Sequence, residues 1–250
     1  MRSPFFAFVL SFVALWLSIR IGILLRRRAQ DMDQESREDF TVVQGATLTL
    51  LGLVIGFTFS MAISRYDQRK MYEEEEANAI GTEFLRVAML PAAYVVRTRE
   101  LLKKYLEQRI AFYQTQDASG LEQIDRNTTQ LQTDLWSATR AGAEERPSPL
   151  TALAASGMND VLNSQGYTQA AWLNRIPPAA WILMAAIALL GSLLVGIGAR
   201  RKNVFLTIML PLVISIAFFL IADLDSPRRG LIRMRPTNLI TLSESLKSTQ

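Results

Sequence analysis

The chain has 250 residues, 50% of them hydrophobic and 20% charged, with a formal net charge of +4 and neither cysteine nor histidine. Those absences exclude disulfide frameworks, thiol nucleophiles, Cys/His zinc sites and imidazole acid–base catalysis. The basic residues gather beside apolar runs rather than among aromatics, which points to membrane flanks and away from a nucleic-acid surface.

Residues 4–25 form the first apolar run. At ~1.5 Å per residue, about 20 apolar residues cross a bilayer core. The run is long for a signal peptide and has no small-x-small site before Arg26, Arg27 and Arg28, so it reads as an anchor. Arg20 falls near its end, where a long side chain can snorkel to the interface; deeper in the span, such a charge would be paired or functional. The second run covers residues 41–63. The pattern predicts that it continues as helix to about residue 90, where Pro91 stops it.

Residues 64–176 form a polar middle without Gly/Ser linkers or repeats. A helix is expected from Ala92 to Gln116, with Leu102, Leu106, Ile110 and Tyr113 on one side. Another follows Gly120, with Leu121, Ile124, Thr128, Leu131 and Leu135 at three/four spacing. Pro147-Ser148-Pro149 reads as a turn, after which a helix leads to Trp172. The acidic run Glu73–Glu76 reads as a solvated helical turn pairing with Arg69 and Lys70. Consecutive helical residues diverge by ~100°, so the run is weak evidence for a metal site.

The third run is residues 178–199, opened by Pro177 and Pro178, where a missing N–H is tolerated. The fourth is residues 204–222, with Pro211 inside it as a predicted kink. Residues 223–250 form a C-terminal tail, and Asp223 and Asp225 are placed to staple a turn at Pro227–Gly230 beside Arg228 and Arg229. The expected architecture is all-α: four transmembrane helices in two hairpins, with a helical extramembrane domain between spans two and three. Positive charge does not orient it. Arg26–Arg28, Arg37 and Arg200-Arg201-Lys202 oppose Arg2, Arg65, Arg69, Lys70, Arg175, Arg228, Arg229, Arg233 and Arg235 across the membrane.

The second run carries the strongest pattern. Gly52, Gly56, Ser60 and Ser64 recur every four residues, so one helix face permits close backbone approach. Gly45 and Thr49 roughly extend it. That face serves either packing within one chain or packing between subunits about an axis. Gln44, Thr47, Thr49 and Thr58 are candidates to line a pore or to bond back onto their own helix.

Val54–Arg69, reading VIGFTFSMAISRYDQR, resembles the pore helix of bestrophin anion channels, with Gly56-Phe57, Ser60, Ser64, Arg65 and Tyr66 in register. The larger pattern is similar to the bestrophin-like family of bacterial membrane proteins, formerly a domain of unknown function. Its blocks stand here as Glu75–Arg86, with Glu75, Asn78 and Gly81, and as Asp223–Arg233, with Asp223, Asp225, Arg228, Arg229 and Gly230. The resemblance implies a homo-oligomer, five subunits around one pore lined by the second span, in the bacterial inner membrane with a cytoplasmic large domain. It implies anions, chloride among them, as permeant partners, and Thr49, Leu53 and Phe57 as constricting positions. Thr49 departs from the larger apolar residues of that neck, and the calcium-binding acidic segment of animal bestrophins has no counterpart. No cofactor, metal or enzymatic activity is expected, since the spans hold no His, Cys or paired-acid motif. A non-conducting scaffold or sensor, whose helical domain binds a protein partner, is the alternative.

Overall fold

A computed structural model of the chain describes residues 4–25, 33–199, 204–228 and 230–248, without the side chains of Val204 and Leu206. Arg2, Arg26–Arg28, Arg200, Arg201, Lys202 and Arg229 lie outside the described residues. Eight α-helices and one 3-10 turn, with no strand, make up the described residues: α1 (Pro4–Leu25), α2 (Gln34–Arg86), the turn Val87–Met89, α3 (Ala92–Gln114), α4 (Ala118–Glu145), α5 (Pro149–Leu173), α6 (Pro178–Gly198), α7 (Val204–Asp225) and α8 (Thr237–Ser248). The fold is all-α, and four helices are long and apolar enough to cross a membrane. A helix satisfies its own backbone hydrogen bonds, which is what a hydrocarbon surrounding demands. The chain divides into two compact units.

The first unit comprises residues 1–66 and 175–232. It holds α1, the apolar part of α2, α6 and α7. Leu15, Leu51, Ala62, Met184, Ala188, Ile214, Phe218 and Ile221 form its core. Helix α1 packs on α6 and α7. Its contact with α6 is set by two glycines: a Cβ on Gly22 would run into the carbonyl of Leu193 and stand 2.9 Å from the Cα of Gly196, and one on Gly196 would run into the carbonyl of Ile19. Ser18 Oγ donates to the Leu189 carbonyl at 2.8 Å, one turn away. Helix α2 packs on the same α6, with Leu48 Cδ2 3.2 Å from where a Gly191 Cβ would lie and Phe40 3.0 Å from the corresponding point on Gly198. In lipid there is no hydrophobic drive between helices, so close packing and the occasional polar bond hold them together. Helix α7 runs on through Pro211.

The second unit comprises residues 67–174 and 233–250. Here the sequence pattern and local chemistry agree closely. Helix α2 gives way at Arg86 to the 3-10 turn, ahead of Pro91. Helix α4 starts before Gly120, not after it, because Asp117 caps it: its carboxylate accepts from the Gly120 N–H at 2.7 Å. That bond and the Ser119 hydroxyl hold the Asp117 carboxyl below its ordinary range. Helix α5 opens with Pro149 at its first position behind a reciprocal Ser148–Thr151 capping box. The stripes face inward as expected, with Leu102, Leu106, Tyr113, Ile124, Thr128 and Leu135 buried and Ile110, Leu121 and Leu131 half-buried. Ile80 of α2 and Met158 and Val161 of α5 are fully buried in the same unit.

Two features differ from the sequence expectation. The tail contains a helix, α8. The acidic run is not a solvated turn: Glu73 and Glu76 are buried, while Glu74 and Glu75 are exposed. Residues three apart share a helix face, so the run is cut lengthwise by the surface of the bundle.

Candidate functional site: the uncovered face of the second helix

Between Thr41 and Ser64, α2 has two sharply different sides. Leu51, Thr58 and Ala62 are buried, with Val54, Ile55 and Tyr66 packed nearby. At ~100° per residue, Gly45, Thr49, Gly52, Leu53, Gly56, Phe57, Ser60 and Ser64 spread over the opposite side, and all eight are exposed. Nothing among the described residues comes within 4 Å of a Cβ built on Gly45, Gly52 or Gly56. Leu53 is 53% exposed and Phe57 65%. At these three glycines the small-residue face is therefore not packed against any other described residue. Within the chain, close approach of backbones occurs at Gly22 and Gly196.

The hydroxyl candidates divide. Thr58 Oγ1 donates to the Val54 carbonyl at 2.8 Å and Thr47 Oγ1 to that of Val43 at 2.8 Å, so both back-bond to their own helix. Gln44 turns toward α6, its Oε1 3.1 Å from the Cβ position of Gly198. Thr49 alone of the four faces outward. The lipid-type surface looks different: the exposed apolar positions of α1 are Phe5, Phe6, Val9, Leu10, Val13, Leu17, Ile21, Leu24 and Leu25. Arg20 is exposed near the end of that helix, with its guanidinium 4.8 Å over the Trp16 ring.

In the second motif block the carboxylates hold main-chain N–H groups. The Asp223 carboxylate accepts from the main-chain N–H groups of Leu231 at 2.7 Å and Ile232 at 2.8 Å. Gly230 is required there, since a Cβ would stand 2.6 Å from Asp223 Oδ1. Asp225 accepts from the Ile176 N–H at 2.9 Å, fixing the chain just ahead of α6. Arg228 is half-buried beside them. Arg65 is half-buried, and its Nη1 has no partner among the described residues.

In the first block, Glu75 and Asn78 are exposed. Gly81 makes room for Leu242 of α8, 3.1 Å from its Cβ position. The residues missed from sequence are Glu73, Glu76 and Arg109. Glu73 caps α8, accepting from the Leu239 N–H at 3.0 Å and from Asn238 Nδ2 at 2.7 Å. Glu76 pairs with Arg109 of α3, both side chains wholly buried, and also accepts from the Thr168 hydroxyl at 3.1 Å. Burial works against the Arg109 charge, but the adjoining Glu76 carboxylate together with Tyr105 and Tyr113 outweighs it and holds its pKa above the ordinary value. Burial, reinforced by Glu76, pushes the Tyr113 hydroxyl up. Arg69 is buried and donates to the carbonyls of Ala171 at 3.1 Å and Asn174 at 3.2 Å.

Four apolar helices, a buried-charge helical unit and one span with an uncovered small-residue face define a multi-pass membrane protein. The profile of the Bestrophin-like domain matches residues 5–239, and the chain belongs to the bestrophin-like family. Its fold is similar to crystal structures of a bacterial bestrophin homolog from Klebsiella pneumoniae. A form carrying a single Trp-to-Ala substitution superposes with a TM-score of 0.69 at 12% identity, covering 96% of each chain. A Leu-to-Thr variant gives 0.68 at 14%, covering 98% of each. The form solved by Zn-SAD phasing gives 0.66 at 15%, covering 98% of this chain and 97% of that one. At such identity the likeness concerns the fold alone. No curated protein matches the chain.

Proposed function

We propose that the protein is a homo-oligomeric ion channel, anion-conducting and pentameric, with α2 from each subunit around the axis. The observation that carries this reading is the contrast between two exposed surfaces of the same unit. Exposed α1 is Phe, Leu, Ile and Val apart from Arg20 near its end; exposed α2 also carries Val42, Leu50, Phe59 and Ile63, but among them runs the strip Thr49, Gly52, Gly56, Ser60 and Ser64 with Leu53 and Phe57, which α1 lacks. Small and hydroxyl residues gain nothing from hydrocarbon, yet they allow helices to approach and water to enter. On this reading Leu53 and Phe57, one turn apart, are apolar constrictions of the kind that gate by dewetting. Family membership supports a bacterial inner-membrane location, with the second unit cytoplasmic.

The test is ion flux from the purified protein in liposomes, run beside measurement of particle size. Chloride flux from an oligomer is expected. Absence of flux under every salt and pH, together with a monomeric particle, removes the reading. Phe57→Ala separates a constriction from a packing residue: at 65% exposure it has little to lose in stability, and conductance or selectivity is expected to change with the melting temperature nearly unaltered.

A further inference from the structure

Glu83 lies near the end of α2, in the second unit and well beyond the apolar stretch. Its side chain is 0% exposed, and neither carboxylate oxygen has a hydrogen-bond partner among the described residues. An ionised carboxylate so placed gives up its hydration and receives nothing in exchange, which is among the most unfavourable arrangements in a folded chain. The other buried acids of α2 differ in this respect. Glu73 and Glu76 each have donors aimed at both oxygens.

The space around Glu83 is shaped for the group. It rests against Gly157 of α5, where a Cβ would run into Glu83 Oε2 and stand 2.8 Å from Arg86 Nη1. Two charged groups face it, Arg86 on its own helix and Asp160 on α5. Arg86 is three residues on and so on the same side of α2. It is not paired with Glu83: its Nη1 stands 3.8 Å from Asp160 Oδ2, at the edge of the bundle, where the two side chains are 29% and 65% exposed. The cation nearest the buried carboxylate thus shares the Gly157 edge with it while making its only ion pair among the described residues, a loose one, with a second, solvent-facing carboxylate.

We propose that Glu83 is a proton-binding site of the helical unit, neutral while Arg86 pairs with Asp160, and that release of its proton draws Arg86 off Asp160 toward Glu83. The step is a single O–H ionisation, with the proton passing to solvent and the guanidinium exchanging one carboxylate for another. It alters the contact between the end of α2 and α5, where Gly157 leaves no slack. Burial pushes the Glu83 carboxyl up, Arg86 opposes the rise and Asp160 adds to it, leaving it at about 8 against an ordinary 4.5. Between those two values the folded chain holds a proton that the unfolded chain has released. Stability on this account is therefore greatest at or below the ordinary value and is lost as pH rises through about 8. The site does not depend on whether the chain conducts ions.

The experiment follows the infrared C=O absorption of protonated carboxyl groups in the detergent-purified full chain as pH is raised. One protonated carboxyl is expected to persist at neutral pH and to disappear with a midpoint at about 8. It is expected to be missing from Glu83→Gln. In Asp160→Asn the midpoint is expected to move down, because a negative neighbour is gone while Arg86 becomes available. The wild-type melting temperature should fall as pH rises from the ordinary 4.5 to about 8 and level off beyond it, and that of Glu83→Gln should not. A wild-type spectrum with no protonated carboxyl at neutral pH overturns the proposal, as does an absorption retained in Glu83→Gln. If Glu83→Gln folds poorly, the wild type and Asp160→Asn decide alone: a midpoint in the ordinary carboxylate range, or one that Asp160→Asn leaves in place or raises, refutes it.

Discussion

Glu76 and Arg109 show why a single substitution in the helical unit can have a large effect. Both side chains are wholly buried. Removing one partner leaves the other as an unpaired charge, which typically costs ~3–5 kcal/mol, far more than the pair contributes relative to apolar residues of similar size. Arg109→Met is expected to lower the thermal midpoint in detergent sharply. Glu76→Gln combined with Arg109→Met should recover part of that loss, and Glu75→Gln, one residue away on the exposed side, should leave it unchanged. Equal effects at positions 75 and 76 would contradict the buried pairing. The sequence carried half of this information. A run of four acids on a helix must present some members to each side, and residues 73 and 76 share a face by spacing. Which face turns inward depends on where α3 and α5 lie, and no local pattern in α2 encodes that.

At the scale of elements, the most legible helices were those bounded by strong local chemistry. Pro91, the Ser148-Pro149 start of α5 and the long apolar runs of α1, α6 and α7 are set by short-range sterics and hydrogen bonding. Helix α8 was not legible, because its N-terminus is completed from a distant part of the chain. Pro236 precedes it, and the acceptor for the Leu239 N–H is the carboxylate of Glu73. Loss of a capping acceptor typically costs ~1 kcal/mol, and here it also removes the Asn238 contact. Glu73→Ala is expected to raise amide hydrogen exchange across residues 237–248 while residues of α3 and α4 keep their protection. Uniform change over the unit, or none at α8, would show that α8 is held mainly by Leu239 and Leu242. The same distinction explains the glycines. The four-residue repeat on α2 is conspicuous in sequence, whereas Gly22 is the lone glycine of α1 and Gly196 stands on another helix without that repeat. Only their meeting in space reveals that the tight crossing belongs to them.

For the molecule as a whole, the uncovered side of α2 raises the question of what covers it in the membrane. A monomer would expose Gly52, Gly56, Ser60 and Ser64 to acyl chains, forgoing the packing that such residues allow. Association about a rotation axis buries the same strip on every subunit, and closed rings are the usual result of head-to-tail contacts that close. The chain contains no cysteine, so a thiol can be introduced at one position and read without background. Ser60→Cys in native membranes, treated with a short bifunctional thiol reagent, is expected to give interchain products. With one thiol per chain those products are covalent dimers, and the subunit number, five on the proposed reading, is read from the particle size of the uncrosslinked oligomer. Val13→Cys, on the exposed apolar side of α1, controls for chance collision in the bilayer and is expected to remain single. Products from both positions in equal yield would mean crowding rather than a specific contact. Single chains from both would leave α2 facing lipid, and the channel reading would lose its structural basis, because no other span among the described residues combines exposure with small and hydroxyl side chains along its length.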